Sequence, residues 1–482
     1  MAVVVGGSRP SGRAADRATG ERPVVGRAAG RECRVGRPGD TAGHHRTRSF
    51  SRARAWYLSD MTALTRYAAV VLLIALAVGC GARPDDPPAT PSAPSSPAHR
   101  ALAPHRRAGA RPPAAAPARP FTLVATGDVI PAHPEVLGTA QDDAPVFGGY
   151  DFRPMLRGVA PVVRAADLAL CHLEAPLGPL DGPFTGYPEL QAPPQVATAL
   201  KATGFDSCAT ASDHALDQGG EGVRRTLEAL DTVGLRHTGT ARNAAEAARP
   251  ALLRASGGAL VAHLAYAYGT DDARPPRVAP WAVNRIAPGR ILADARAARR
   301  AGADVVAVSL YWGTEYRTAP DARQRRLARV LTAARTAGRP DIDLIVGSHA
   351  HTPQPFERLH GTRGTRGTRA QDDRQTEADK HDSGTWVAYG LGDLIGGTHH
   401  DENGRMSAAA RFTFTPPPTP GDRWKITKAE FVPLWWDAEA GRVINVNKAI
   451  RTGRPDLKPI RHSIRHTVLS KGARKAGLVM GR

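Results

Sequence analysis

Cysteine is scarce in this chain: the 482 residues hold 4, at Cys33, Cys80, Cys171 and Cys208. So few exclude a disulfide-stapled scaffold and a thiolate metal module. Lysine is nearly as rare, eight of the 65 basic residues, and with abundant Ala, Gly and Pro this marks a GC-rich coding sequence. Apolar periodicity is missing from two long stretches. Residues 1–60 are rich in Arg, Gly and Ala with no sustained pattern, and residues 81–120 are Pro, Ala, Ser and Arg with few large side chains. Neither can bury a core. Negative charge falls short of positive, leaving a net charge of +20. Acids and bases balance over 121–450, so the excess sits in the flanks. A neutral core with basic flanks argues against a nucleic-acid partner.

One long apolar run is present. In MTALTRYAAVVLLIALAVGC, Met61 to Cys80, Arg66 is the only charge and Tyr67 to Val78 is apolar. That layout reads as a secretory signal peptide, too short for a comfortable membrane span. Its Ala-Val-Gly-Cys end resembles a bacterial lipobox, which implies a lipid on Cys80. The chain beyond it is then expected outside the cell, anchored to the outer face of the membrane; an uncleaved anchor is the alternative and gives the same placement. A signal peptide works from an N-terminus, so Met61 is the expected start and 1–60 an over-extended, disordered gene model. Residues 81–120 read as a disordered tether. Basic flanks beside a lipid anchor suit an anionic envelope surface, or are solvated charge without a partner. Cys171 and Cys208 sit in apolar runs and read as small buried thiols. A disulfide between them is the alternative in an oxidising compartment.

From FTLVATGD (121–128) onwards, strand-like and helix-like stretches alternate, which indicates an α/β domain over 121–450. DLALCHLE, FDSCATAS, ALVAHLAYAYG and DVVAVSLYWG read as strands. APPQVATALKATG, EGVRRTLEALDTVG and ILADARAARRAGA read as helices between them. After residue 386 successive strands predict a second, antiparallel sheet packed on the first. Residues 359–384, with GTRGTRGTR, read as a flexible insertion, and 451–482 as a basic, poorly patterned tail.

What ends each strand carries the chemistry. The ends are Gly127-Asp128, His172-Leu173-Glu174, Ser212-Asp213-His214 with Asp217 beyond, Tyr311-Trp312-Gly313 with Glu315, His349 and His351, and Gly392-Asp393. Any one is more often a turn or cap residue. Six polar clusters at successive strand ends point to a site. His349 and His351, two apart on extended backbone, are expected to face one side and share a metal. A mixed Asp, Glu and His donor set suits Mn²⁺, Fe or Zn²⁺.

The stretches TGDVIP, HLEAPLG, GFDSCATASDHALDQG, SLYWGTEY, GSHAHTPQP and VAYGLGD, in this order and spacing, resemble the CapA family, named for poly-γ-glutamate capsule synthesis. The resemblance implies a calcineurin-like metallophosphoesterase fold, a four-layer α/β/β/α sandwich. Carried over, Asp128, Glu174, Asp213, His349 and His351 fall on metal-ligand positions, and His214 on that of a proton-donating histidine. The chain departs from the family's pattern at five places. Asp213 stands where Asn is usual, Tyr311 where His is usual, Ser348 where a His is often found and Asp393 where an Asn is found; the D-x-H that opens standard phosphoesterases is absent, since Ile130 follows Val129. Two functions follow. In one, metal-assisted attack of water on a phosphoryl or acyl centre is aided by His214 as proton donor and Glu315 as a second catalytic group, with Tyr311, Trp312 and Asp393 contacting substrate. The substrate is then an acidic cell-envelope polymer such as poly-γ-glutamate. In the other, a non-catalytic surface lipoprotein binds or helps export such a polymer.

Overall fold

Runs of Val, Ile, Leu and Ala bounded by glycine and polar turns supply the strands. In chain order these are β1 (Phe121–Val129), β2 (Leu168–Leu173), β3 (Ser207–Ala209), β4 (Arg236–Thr238), β5 (Ala251–Arg254) and β6 (Leu260–Ala267). Next come β7 (Val305–Tyr311), the small hairpin β8 (Arg335–Thr336) and β9 (Arg339–Pro340), β10 (Leu344–Ser348), β11 (Phe356–Leu359) and β12 (Thr385–Ala388). The last are β13 (Asp393–Ile395), β14 (Met406–Thr415), β15 (Lys425–Asp437), β16 (Arg442–Asn445) and β17 (Leu478–Met480). This computed structural model describes residues 118–146, 148–269, 279–360, 384–396, 402–419 and 421–482. All belong to the unit Gly109–Arg482. The expectations for residues 1–60, the signal peptide, Cys80, the tether to 117 and the insertion at 361–383 lie outside the described residues.

The first sheet runs β16-β15-β14-β1-β2-β3-β4, with β13 also beside β1 and β17 beside β15; the second runs β11-β12-β10-β7-β6-β5. Strands β1 to β4 are mutually parallel, as are β6, β7, β10 and β12. Side chains alternate across each sheet with period two. Leu123 and Ala125 of β1 face the gap between the sheets with Val305 and Leu344, while Val124 faces the outer core with Val196 and Leu227. Ile345 of β10 faces a third core with Ile291 and Leu331. The helices Gln195–Thr203 and Gly219–Thr232 cover the first sheet; Pro288–Arg300 and Ala322–Ala333 cover the second. Helices, sheet, sheet and helices make the four-layer α/β/β/α sandwich that the resemblance implied.

Two expectations are corrected. The strands after 386 do not form a sheet of their own. β12 joins β10 in the second sheet, and β13 to β15 extend the first from the other edge of β1. Both β1 edges are buried, so each needs a partner strand for its backbone groups. Pairing between distant segments leaves no local trace in sequence. The segment 451–482 is not an unpatterned tail either. Its helix Lys458–Leu469 buries Ile460, Ile464 and Val468, and β17 pairs with β15. Cys171 and Cys208, register partners on β2 and β3, are joined as a disulfide, so the alternative reading holds. Among the described residues no helix is long and apolar enough to cross a membrane.

Candidate functional site

The parallel strands deliver their last residues to one end of the sandwich. β13, β1 and β2 lie side by side, and their register sets Asp393, Asp128 and His172 in one lateral row. Two glycines permit this. A Cβ on Gly127 would sit 1.6 Å from the Gly392 carbonyl oxygen, and Gly392 itself has φ +72°. Glu174 follows β2, and Asp213 and His214 follow β3 at a short 3-10 turn. His349 and His351 follow β10.

All five expected ligands and His214 converge. Donor atoms lie within 4.8 Å of one another in four overlapping groups: Asp128 with His172 and Glu174; Asp128 with His351 and Asp393; Glu174 with Asp213 and His214; and Glu315 with His349 and His351. Shared members join them into one cluster. The two histidines of H-x-H do not converge as neighbours on extended backbone. Both are left-handed, His349 at φ +83° and His351 at φ +51°. Two successive tight turns, not strand alternation, bring their rings to 6.0 Å. Non-glycine residues in this region cost on the order of 1–3 kcal/mol each, and such strain gathers at functional sites.

Hydrogen bonds hold the donors. Asp128 Oδ2 accepts from the His349 backbone N–H at 2.9 Å. His351 Nδ1 lies 2.9 Å from Asp393 Oδ1, and His214 Nδ1 lies 2.7 Å from Asp217 Oδ2. Asp213 Oδ1 accepts from the His214 N–H and from the Tyr311 hydroxyl at 2.7 Å.

The charges are crowded. Burial, and then the nearby carboxylates of Asp128, Asp213 and Asp393, push the Glu174 carboxyl well above its usual range, against the opposing pull of His351. Burial pulls His351 down, but Asp393 and Glu174 outweigh it and hold the ring well above the usual value. Burial lowers His349. Burial, then the carboxylates of Glu174, Asp213 and Asp128, raise the Tyr311 phenol well above its usual value, so it stays neutral. Without a cation, burial and the neighbouring carboxylates thus favour the protonated form of Glu174.

Three residues expected at the substrate are placed differently. Trp312 is fully buried; its indole donates to the Tyr389 carbonyl at 2.8 Å, behind the strand ends. Asp393 is also fully buried and orients His351 rather than facing substrate. Tyr311 is 2% exposed, wedged between the rings of His172 and His349, and braces Asp213. Glu315 is exposed at the rim beside His349 and His351. The choice of site residues missed Asp217 and His172. Asp217 had a signal, an acid three residues after a histidine in a turn-like segment. His172 had one too, in the His-Leu-Glu strand end.

Donor chemistry fits a divalent ion. Asp128 Oδ1, Glu174 Oε2 and His349 Nδ1 are buried and lack a hydrogen-bond partner. Buried polar atoms in native proteins are rarely left so. Three unsatisfied donors of mixed oxygen and nitrogen type, in an acid-rich cluster, suit Mn²⁺, Fe or Zn²⁺.

Fold and site define a class: α/β/β/α sandwiches whose strand ends gather carboxylates and imidazoles fit for a divalent cation. Within that class the chain belongs to the bacterial capsule synthesis protein family PGA_cap, whose model matches residues 122–398. It is 28% identical over 212 residues to the PGA biosynthesis protein CapA of Bacillus subtilis, covering 42% of this chain and 52% of that one. To the capsule biosynthesis protein CapA of Bacillus anthracis it is 28% identical, covering 35% and 40%. A "probable polyglutamine synthesis accessory protein" of Mycobacterium tuberculosis is 30% identical, with 41% and 53% covered. The chain thus spans about half the length of such curated relatives or less. Among solved structures, the NAD nucleotidase of Haemophilus influenzae aligns at 12% identity and TM-score 0.39, covering 76% and 64%. The calcineurin-like phosphoesterase YfkN of Bacillus subtilis aligns at 12% and 0.37, covering 72% and 100%. Likenesses this distant carry no functional weight.

Proposed function

We propose that this protein is a metal-dependent hydrolase of capsule synthesis that acts outside the cell on an acidic envelope polymer, poly-γ-glutamate or a relative of it. One observation carries the reading: unsatisfied donors of Asp128, Glu174 and His349 meet beside a histidine, His214, held by its own carboxylate. The names of the relatives support the polymer. Asp128, Glu174, Asp213, His349 and His351 would hold the ion. Bound there, a divalent ion polarises a phosphoryl or acyl oxygen and acidifies water. Asp217 accepts from His214 Nδ1 and so orients the ring. Nε2 then faces the cluster, 3.8 Å from Asp213 Oδ1, where it can hand a proton to a leaving oxygen. Asp393 fixes His351 in the same way, through Nδ1. The signal peptide and a lipid on Cys80 would hold the domain at the outer face of the membrane. Replacing Cys80 with Ala should release the protein from membranes or leave an unprocessed precursor.

Hydrolysis of an artificial phosphodiester and of poly-γ-glutamate by the full chain, with Mn²⁺ or Zn²⁺ supplied, tests the reading. His214→Ala should lower turnover by about 10²-fold or more, the usual worth of a positioned proton donor. Asp217→Asn should cost about 10-fold, since it acts only through the ring. A second reading has its own observation. Tyr311 and the His214 N–H both occupy Asp213 Oδ1, which leaves this ligand one oxygen. A site so restrained suits a non-catalytic polymer-binding lipoprotein. Metal binding with no turnover of either substrate would favour it.

A further inference from the structure

We infer that His172 is a direct ligand, through Nδ1, of the ion that Asp128 and Glu174 hold. The inference rests on the metal reading above and adds a residue to it. Strand register comes first: His172 on β2 is the Cα partner of Asp128 on β1, so the two side chains stand side by side on one face. One ring nitrogen is committed by its surroundings. Nε2 lies 3.1 Å from the Ala211 carbonyl oxygen, which only accepts, so Nε2 carries a hydrogen. Nδ1 is then the nitrogen left to face the cluster. A backbone carbonyl behind one nitrogen is how proteins fix a metal-bound imidazole.

Nδ1 faces Asp128 Oδ1 at 2.7 Å without hydrogen-bond alignment, and both atoms are buried and without a hydrogen bond. A cation held between them would satisfy both. Glu174 Oε2, also unsatisfied, completes a group of three within 4.8 Å. The ring's remaining contact, a stack on Tyr311 at 5.2 Å, occupies neither nitrogen.

Zinc and cobalt titrations of the full chain test this, on wild type, His172→Ala and His172→Gln. The Gln amide nitrogen reaches the place of Nε2 and can still donate to the Ala211 carbonyl, so this variant keeps the structural bond and loses the ligand. Both variants should bind Zn²⁺ at least tenfold more weakly, and their Co²⁺ visible spectra should change. His172→Gln should keep more of the metal-free thermal stability than His172→Ala. Nitrogen NMR of the metal-free wild type should show His172 with hydrogen on Nε2, and zinc should shift Nδ1. Hydrogen still on Nδ1 in the zinc-loaded protein overturns the inference by itself. Wild-type affinity and an unchanged cobalt spectrum in both variants would also overturn it and leave the metal reading standing. A wild type that binds no metal overturns both.

Discussion

Between the two sheets His263 is completely buried, with Ser207 of β3 on Nδ1 and Ser309 of β7 on Nε2, each at 2.9 Å. Burial, aided by the nearby His172, drives its pKa down to about 3. Unfolded, the ring titrates near 6.5, so between pH 6.5 and pH 3 the unfolded chain binds a proton that the folded one refuses. Stability should therefore fall as pH drops through that window, by about 1.4 kcal/mol per unit from this group once well below 6.5. His263→Gln keeps hydrogen-bonding groups without a titrating ring. Urea midpoints for wild type and His263→Gln should converge between pH 6 and pH 4; parallel curves would mean the ring charges in place. His349 allows a second test at this scale. At φ +83° it stores strain that glycine does not. With chelator present, His349→Gly should be more stable than His349→Ala by about 1 kcal/mol, although both lose the imidazole. Equal unfolding midpoints would show that the turn relaxes around alanine.

At the scale of elements, the strands and helices read from apolar runs and periodicity are nearly all present. DVVAVSLYWG and ALVAHLAYAYG, for instance, became β7 and β6. What sequence could not show was pairing. β14 reads as a strand, but nothing local says that it lies against β1 rather than in a sheet of its own. The C-terminal helix escaped for another reason. Its stripe of Leu457, Ile460, Ile464 and Val468 is spaced three and four apart, as a helix face requires, but Arg and His fill the other faces and mask it. Docking on the inter-sheet core makes that stripe structural. Ile464→Ala should cost about 2–5 kcal/mol, and exposed His462→Ala within about 0.5 kcal/mol of nothing. Thermal melts decide: two variants equally neutral would mean the helix is not docked.

For the whole molecule, the polar cluster was legible because its members come from strand ends, and each strand end leaves a short motif. That Asp128, Glu174, Asp213, His349 and His351 gather in one place could be read from sequence for that reason. Trp312 could not be sorted from them, since its burial depends on Gly347 and Tyr389 behind it. If the cluster holds an ion as proposed, the same convergence should make the fold depend on pH and metal together. Burial and then three neighbouring carboxylates raise Glu174, so the metal-free fold holds a proton there that the unfolded chain releases near pH 4.5. That contribution is complete below pH 4.5 and is lost as pH rises toward the folded value. His351, also raised overall, loses its share as pH climbs above 6.5. Metal-free protein should thus weaken from pH 5.5 to pH 8. A bound ion replaces both protons and reverses the trend, since its affinity grows as they leave. At a free ion concentration of 100 times Kd it adds about 2.7 kcal/mol. The gap in melting temperature between Zn²⁺- or Mn²⁺-loaded and chelated protein should therefore widen steadily from pH 5.5 to pH 8. Glu174→Gln, which cannot lose a proton there, should flatten the part of the widening that Glu174 supplies. A gap that stays constant with pH in the wild type would mean that the ion and these two protons do not share one site.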